Sequence, residues 1–256
     1  MDFSGANSNL QQRMAASSAG INRRQSVLNA LDIQIGQKIL DIGCGGGHLL
    51  EELALSVGPT GKSFGLDPSE TQITSAKDRC IQLKNVEFLC QGAEKINLPN
   101  NFFDSITSTQ TLEYIENVDS VLVEAKRLLK PGGKFVNVSV LWDHFKFHGP
   151  ENELNTLIHD AFRAHCFHQM LPMEMKSKLQ NLGFYNIKNK ELAFLITERN
   201  NNSPAKFTEE TIAKFALKEG ISEDKVLDWR NQLALAEEQG HFGFTSFPVL
   251  TEALLK

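Results

Sequence analysis

Glycines and carboxylates at one spacing carry the first chemical signal in this chain. Asp41-Ile42-Gly43-Cys44-Gly45-Gly46-Gly47-His48 follows the apolar pair Ile39-Leu40. Glycines there free the backbone for a tight turn and remove the Cβ that would hold a ligand away. Asp67 ends the next apolar run, 24 positions after Gly43. A carboxylate at that point can accept both hydroxyl protons of a ribose in charge-assisted hydrogen bonds. The set reads as a cradle for a nucleotide-like ligand.

Such a cradle needs a buried strand before the glycines and a helix after them. Lys38–Ile42 reads as that strand, and His48-Leu-Leu-Glu-Glu-Leu-Ala-Leu continues as the helix. Spacing separates the possible ligands. The dinucleotide pattern G-x-G-x-x-G accepts Gly43 and Gly45, but His48 stands at its third glycine. Gly61-Lys62-Ser63 ends like a phosphate loop, yet Ser56 stands where its first glycine belongs. Phe64-Gly65-Leu66-Asp67 after it reads as the end of a strand, whereas a phosphate loop must open a helix. S-adenosylmethionine (SAM) is the third candidate. It needs room at the first glycine turn and an acidic residue after the second strand. Asp67 alone does not choose, because dinucleotide folds place an acid at about the same distance, roughly 20 residues.

The order of the later motifs does choose. Leu40–Gly47, Gly65-Leu66-Asp67-Pro68-Ser69, Gln91–Pro99, Phe103-Asp104-Ser105-Ile106-Thr107-Ser108 and Arg127-Leu128-Leu129-Lys130-Pro131-Gly132-Gly133 follow one another. This series resembles the class I SAM-dependent methyltransferases. It is most similar to the branch holding ubiquinone/menaquinone-biosynthesis and natural-product small-molecule enzymes. The resemblance is close over about residues 20–142 and looser over 142–256. It implies an α/β fold, a Rossmann-like doubly wound, mostly parallel seven-stranded sheet with an antiparallel last strand and a helical lid.

The resemblance also implies roles. Asp41, Gly43 and Gly45 would line the methionine side of the cofactor, although Asp41 could instead only brace the loop. Asp67 would hold the ribose, and Pro68 and Ser69 would flank the adenine. Ala93 and Glu94 would meet the adenine edge; Gly92 stands where relatives often carry aspartate, which leaves the backbone of Ala93 for the adenine amine. Thr109, Gln110 and Thr111 would face the methionine end or the acceptor. For Gly46 and Gly47, starting the helix is an equal alternative to cofactor contact.

Two side chains are candidates for catalysis. His144 follows the fifth strand beside Trp142, Phe145 and Phe147, where strand ends form the ligand crevice of open sheets. It is the candidate base for a phenol or alcohol. Tyr114 lies one helical turn past Gln110 and could orient the acceptor or simply pack. His159, His165, Cys166 and His168 cluster in sequence. A zinc site would need four directed ligands. A lid segment facing the substrate, or ordinary packing, is the expectation, and no metal is assigned.

Methyl transfer from a sulfonium is an in-line displacement, so positioning and exclusion of water dominate. The acceptor implied is a small molecule, apolar or aromatic. The alternatives are a non-catalytic SAM-fold binding or scaffold protein and a macromolecular methyltransferase for RNA or protein. The net charge of −5 gives no broad basic surface, and no nucleic-acid partner is expected. Cys44, Cys80, Cys90 and Cys166 form no C-x-x-C pair, which fits a reduced, cytoplasmic setting. No apolar run approaches the roughly 18 residues of a membrane span. The oligomeric state is left open.

Along the chain, residues 1–8 carry no element and 9–31 read as helix, broken near Ser17-Ser18-Ala19-Gly20, with Leu10, Met14 and Val27 among its core contacts. Helices are expected at 47–57, 70–83, 117–129, 151–166, 173–182, 208–219 and 222–239. Strands are expected at 38–42, 62–66, 86–90, 103–108, 134–140, 184–197 and 240–250, the last two pairing with each other. Residues 198–204 read as a surface loop. The 41% hydrophobic content suffices for one substantial core. A single methyltransferase domain over 1–256 is expected, with a SAM-binding core at 20–141 and lid or substrate-recognition insertions at 142–171 and 206–239.

Overall fold

The computed structural model describes residues 14–200 and 203–256. The expectations for the first thirteen residues, Leu10 included, lie outside the described residues. Residues 14–16 are helical, and Ser17 breaks the helix by turning its hydroxyl to accept from Gly20 N as the cap of α1 (Ser18–Leu31). Gly20 admits the preceding turn closely: a Cβ there would lie 2.4 Å from the Met14 carbonyl oxygen.

Then follow β1 (Lys38–Ile42), α2 (His48–Val57), β2 (Lys62–Leu66), α3 (Glu70–Arg79), β3 (Val86–Leu89), β4 (Phe103–Thr109), α4 (Val118–Leu128) and β5 (Leu129–Val140). Strand and helix alternate, as a parallel sheet requires, except between β3 and β4, which a helix-free connection joins. β1 is buried over its last four residues and pairs in parallel with β2 and β4. The Gly61-Lys62-Ser63 segment is a turn running into β2, not a phosphate loop. Helix α3 is capped by Ser69 and stops at Arg79, short of 83, because the chain tightens into a turn in which Leu83 N donates to the Cys80 carbonyl. β5 begins five residues earlier than expected. Leu129 pairs with Phe103, the Lys130-Pro131-Gly132-Gly133 segment bulges, and pairing resumes at Ser105 with Lys134. Lys130 holds Asp104 at 2.5 Å beside that bulge.

The sheet order is β3-β2-β1-β4-β5-β10-β7, with seven strands. β10 (Pro248–Leu255) runs antiparallel to β5 and to β7 (Phe184–Glu191). The expected strands 184–197 and 240–250 do pair, but each splits between two sheets. Beyond β7, β8 (Phe194–Ile196) joins a separate three-stranded sheet, as does β9 (Gly243–Ser246) before β10; β6 (Lys146–His148) completes it in the order β6-β9-β8. The crossing point is bonded across, with Leu192 N on the Pro248 carbonyl and Leu141 N on the Phe247 carbonyl. Pro248 has no N–H to give, so it opens a strand rather than continuing one.

Helix α6 (Leu171–Asn181) packs into the main core with Phe135, Phe184 and Leu255. A second core lies beyond the C-terminal edge of β5. Helices α5 (Asn152–Arg163), α7 (Pro204–Lys218) and α8 (Glu223–Glu238) close over the small sheet there, around Phe147, Trp229 and Phe244. Its polar contacts are satisfied in sequence: the Trp229 indole N–H donates to Asn155 Oδ1 at 2.9 Å, and Asn155 Nδ2 donates to the Phe147 carbonyl at 2.8 Å. Part of the segment expected as a surface loop is anchored. The Arg199 side chain reaches back to Glu209 on α7, which also takes Lys206 and Arg230 and is fully buried.

Candidate functional site: a cavity at the crest of the sheet

The strand order reverses between β1 and β4, with β2 on one side and β5 on the other. A crevice opens at such a point outside the carboxyl ends of the strands. A cavity of about 600 Å³ occupies it.

The floor is the glycine turn. Gly43 N and Cys44 N both donate to the Leu66 carbonyl, at 2.7 and 3.0 Å. Gly43 has φ +74°, and a Cβ there would lie 2.1 Å from Thr111 Oγ1. Gly45 has φ +51°, with nothing nearer to its would-be Cβ than Gln72 Oε1 at 3.6 Å, so its backbone faces open space. Gly46 lines the cavity; Gly47 does not, and it instead lets α2 approach α3, where a Cβ would sit 2.9 Å from Ala76 Cβ. Arg79 of α3 braces the turn, donating from Nε to the Gly46 carbonyl at 2.9 Å and meeting His48 Nε2 at 3.0 Å. Burial and the neighbouring Arg79 pull the His48 imidazole down to about 4, so it stays neutral at pH 7.

Asp67 sits beside this floor. Its Oδ2 accepts from Gly45 N at 3.0 Å and its Oδ1 from Ser69 N at 2.9 Å. One carboxylate thus fixes the glycine turn and the start of α3, and still has lone pairs for a ligand. Asp41 is 2% exposed yet lines the same cavity; burial, with Asp67 adding, pushes its carboxyl up to about 8. Pro68, Ser69, Ala93, Glu94, Thr109 and Gln110 complete the predicted cofactor set, and the structure brings all of them to this cavity with Asp41, Gly43, Gly45 and Asp67. Gln110 holds φ +50° and donates its N–H to the Val138 carbonyl at 2.7 Å, which turns the chain across the end of β4.

Tyr114 also lines the cavity, its ring stacked on His165 at 5.4 Å. Burial, and then the adjacent Glu113, raise its phenol well above the usual value. Glu113 itself is buried beneath the crest, accepting from Ser139 Oγ at 3.0 Å and Val140 N at 3.4 Å, and burial pushes its carboxyl up to about 7.

His144 is not placed with them. It lies on the 3-10 turn Trp142–His144, in which Trp142 takes the inward position. The tight period of such a turn sends the residue two positions on to a different face. His144 faces a second groove with Lys146, His148 and Thr245, its ring 5.9 Å from that of Phe247. The candidate base role therefore leaves His144. Of the described histidines after the fifth strand, His165 is the one that lines the cavity. The rest of the histidine cluster disperses: His159 Nε2 accepts from Phe147 N at 3.1 Å in the second core, and His168 donates to the Ile115 carbonyl at 3.0 Å. Among the described residues no group of three His, Cys, Asp or Glu side chains is arranged to hold a metal.

The far wall is aromatic. Trp142, Phe145, Phe162, Phe194, Phe207 and Phe244 all face the cavity. Phe145 stacks on Phe162 at 5.8 Å, and Trp142 lies 4.9 Å from Phe145. Arg23 of α1 lines the cavity as well and was not anticipated. A signal for it existed: Arg23 stands three residues after Gly20 and four before Val27, both buried, and so shares the inward face of α1.

A family profile described as a methyltransferase domain matches residues 33–200. The chain belongs to this methyltransferase family. Its cofactor is SAM, and the cradle fits it: a glycine floor that a side chain would fill, beside a carboxylate with free lone pairs. The methyltransferase is 33% identical to the ubiquinone/menaquinone biosynthesis C-methyltransferase UbiE of Burkholderia cenocepacia over 135 residues, 50% of this chain and 55% of that protein. It spans about half the length of the curated relatives it matches. Its fold is similar to that of the YcgJ protein from Bacillus subtilis, with a TM-score of 0.64 and 17% identity over 92% of this chain and 99% of the other. It is also similar to Haemonchus contortus phosphoethanolamine N-methyltransferase 2 in complex with SAM, with a TM-score of 0.65 and 19% identity over 97% and 56%. At those identities the likeness is one of fold. No described helix of the methyltransferase is long and apolar enough to cross a membrane.

Proposed function

We propose that this chain moves a methyl group from SAM to a small, apolar or aromatic acceptor. The observation that carries this reading is the continuity of the cavity: the glycine cradle and the aromatic wall of Trp142, Phe145, Phe162 and Phe244 bound one space. Aromatic side chains offer a large apolar surface with defined stacking geometry, which suits a flat or hydrocarbon acceptor. The name of the similar UbiE protein, a C-methyltransferase of quinone biosynthesis, is in keeping with such an acceptor.

When bound, SAM supplies an electrophilic methyl group on a sulfonium sulfur. The remaining work belongs to the chain. Asp67 would hold the ribose hydroxyls; Ala93 and Glu94 would meet the adenine edge; Asp41, Gly43, Gly45, Thr109 and Gln110 would surround the methionine end. The aromatic wall would orient the acceptor and exclude water. For an acceptor that must lose a proton, His165 is the group we assign as base. Burial lowers its pKa, so the ring is neutral at pH 7. Its Nδ1–H donates to the Phe162 carbonyl, which leaves the lone pair on Nε2. Among the described residues that nitrogen meets only the weak thiol donor of Cys166, at 3.4 Å. We assign acceptor choice to the elements of 142–171 and 206–239, which build the second core over the cavity.

The test is a screen of phenols, quinols and amines with SAM, read as S-adenosylhomocysteine formed. Transfer to an apolar acceptor, impaired in Phe145→Ala through KM and in His165→Ala through kcat, supports the reading. A chain that binds SAM but methylates none of them would instead favour a binding role.

A further inference from the structure

A second groove, of about 500 Å³, lies on the outer face of the small sheet. The alternation of the strands builds it. Phe147 of β6, Phe244 of β9 and Phe194 and Ile196 of β8 pack into the second core. Their neighbours Lys146, His148, Thr245 and Leu195 therefore turn outward. The register sets Lys146, Thr245 and Leu195 in one row across the three strands. His144 reaches the same groove from the turn before β6. Three side chains able to carry positive charge thus meet on one face of a chain whose net charge is −5. The acid beside them is already matched, since Asp143 Oδ1 accepts from Arg163 Nη1 at 2.9 Å. Lys146 Nζ has neither a hydrogen bond nor an ion pair among the described residues. Burial, and then the charge of Lys146, lower the pKa of His148. One hydroxyl ties the three together: Thr245 Oγ1 meets His148 Nε2 at 3.1 Å and donates to the His144 and Lys146 carbonyls at 3.3 Å. The other side of the groove is apolar, with Leu195, 62% exposed, beside Ala193 and Phe247.

We propose that this groove binds a phosphate monoester with an apolar body, the phosphate held by His144, Lys146 and His148 and the body lying along Leu195 and Phe247. The count of donors chooses the headgroup. A phosphate monoester brings three terminal oxygens and about −1.5 to −2 of charge at pH 7, one oxygen for each basic side chain. A carboxylate brings two oxygens and one charge, which leaves a basic group unmatched. An anion at this place favours the protonated form of an imidazole, so each ring can donate to it. The volume of the groove lies in the range of small-molecule sites, roughly 300–1,000 Å³. Phe194 and Ser246 border both this groove and the crest cavity, so the bound ester would sit behind the acceptor wall and not within it. The site makes no use of the cofactor and stands apart from the reading of the cradle.

Titration of the full chain with phenyl phosphate tests this, in the presence of S-adenosylhomocysteine, by calorimetry and by the NMR signals of the imidazole rings. Phenyl phosphate should bind and shift the signals of His144 and His148 while those of His48 and His168 stay in place. Lys146→Met should weaken it by about tenfold or more, the worth of one charge-assisted hydrogen bond. His148→Gln should weaken it in the same direction, and a melt of each variant checks that the fold is intact. Benzoate, which lacks the third oxygen, and inorganic phosphate, which lacks the apolar body, should each bind about tenfold more weakly than phenyl phosphate. Equal affinity for benzoate would remove the phosphate from the proposal, and equal affinity for inorganic phosphate would remove the apolar body. Affinity unchanged in Lys146→Met, or no shift at His144 and His148, would place the ester elsewhere on the chain. A chain that ignores phenyl phosphate but floats with vesicles of phosphatidic acid and phosphatidylcholine would make this face a lipid contact instead. Each of these results, like the absence of any binding, overturns the proposal and leaves the cofactor cradle untouched.

Discussion

Replacing Asp67 with alanine removes one carboxylate that serves two backbone amides and, on the present reading, two ribose hydroxyls. Its oxygens already accept from Gly45 N and Ser69 N, one each. A carboxylate offers about four acceptor positions, which leaves about two for the ligand. Hydrogen bonds to a charged partner contribute about 1.5–3 kcal/mol each, so the variant should lose about 3–6 kcal/mol of binding. That corresponds to about 10²- to 10⁴-fold in Kd. The cost to the fold should be smaller. Both orphaned amides border the cavity, where water can replace the carboxylate, so about 1–2 kcal/mol is expected. In a domain of this size that lowers Tm by only a few degrees, at about 2–4 °C per kcal/mol. Calorimetry with S-adenosylhomocysteine and a parallel melt separate the two effects. 5′-Methylthioadenosine must weaken by the same factor, because it carries the same ribose. A folded Asp67→Ala chain that keeps affinity within threefold would refute the ribose assignment.

Other consequences can be checked alongside. Asp41 is raised to about 8 and Glu113 to about 7 in the folded chain, above ordinary carboxylate values, so both favour folding in the protonated form. Their contribution is fully present below the unfolded carboxylate pKa of about 4 and is lost progressively as pH rises from there through the folded values of about 7 and 8; Tm of the ligand-free protein should fall between about pH 4 and 8 and level off above, and fall less steeply in Asp41→Asn. If the Asp41 carboxylate takes the cofactor ammonium, S-adenosylhomocysteine binding at pH 7 should release nearly one proton, read from titrations in buffers of different ionisation enthalpy, and affinity should rise toward pH 8. Glu209→Ala should destabilise by about 3–5 kcal/mol, because it strands the buried Arg199 beside Lys206 and Arg230. Urea unfolding measures that cost, and a loss under about 1 kcal/mol would mean the cluster is solvated.

The cradle was legible because each of its residues is tied to a strand end. Gly43, Asp67 and Thr109 follow short buried runs, and a parallel sheet brings all such ends to one crest. The lid was legible only as helices. Residues 184–197 and 240–250 alternate like single strands, and nothing in a period of two tells which of two sheets a residue joins. The division shows only in backbone bonds at Leu192 and Phe247. His144 and Trp142 stand two positions apart after the same strand, and the turn between them decides which ring meets the cavity. His165 lay in a cluster expected either to face the substrate as a lid segment or simply to pack, and its spacing singled out no one ring. Arg23 was hidden by its type: an arginine on a helix reads as solvent-facing, although its register with Gly20 and Val27 pointed inward.

The most direct test is titration of the full chain with S-adenosylhomocysteine, with NADH in parallel. Both ligands carry an adenosine whose ribose an acidic residue after β2 could hold, but His48 stands where dinucleotide folds need their third glycine. Micromolar binding of S-adenosylhomocysteine with none of NADH is the predicted result. A folded chain that binds NADH as tightly, or that binds neither, would contradict the assignment of this cavity to SAM.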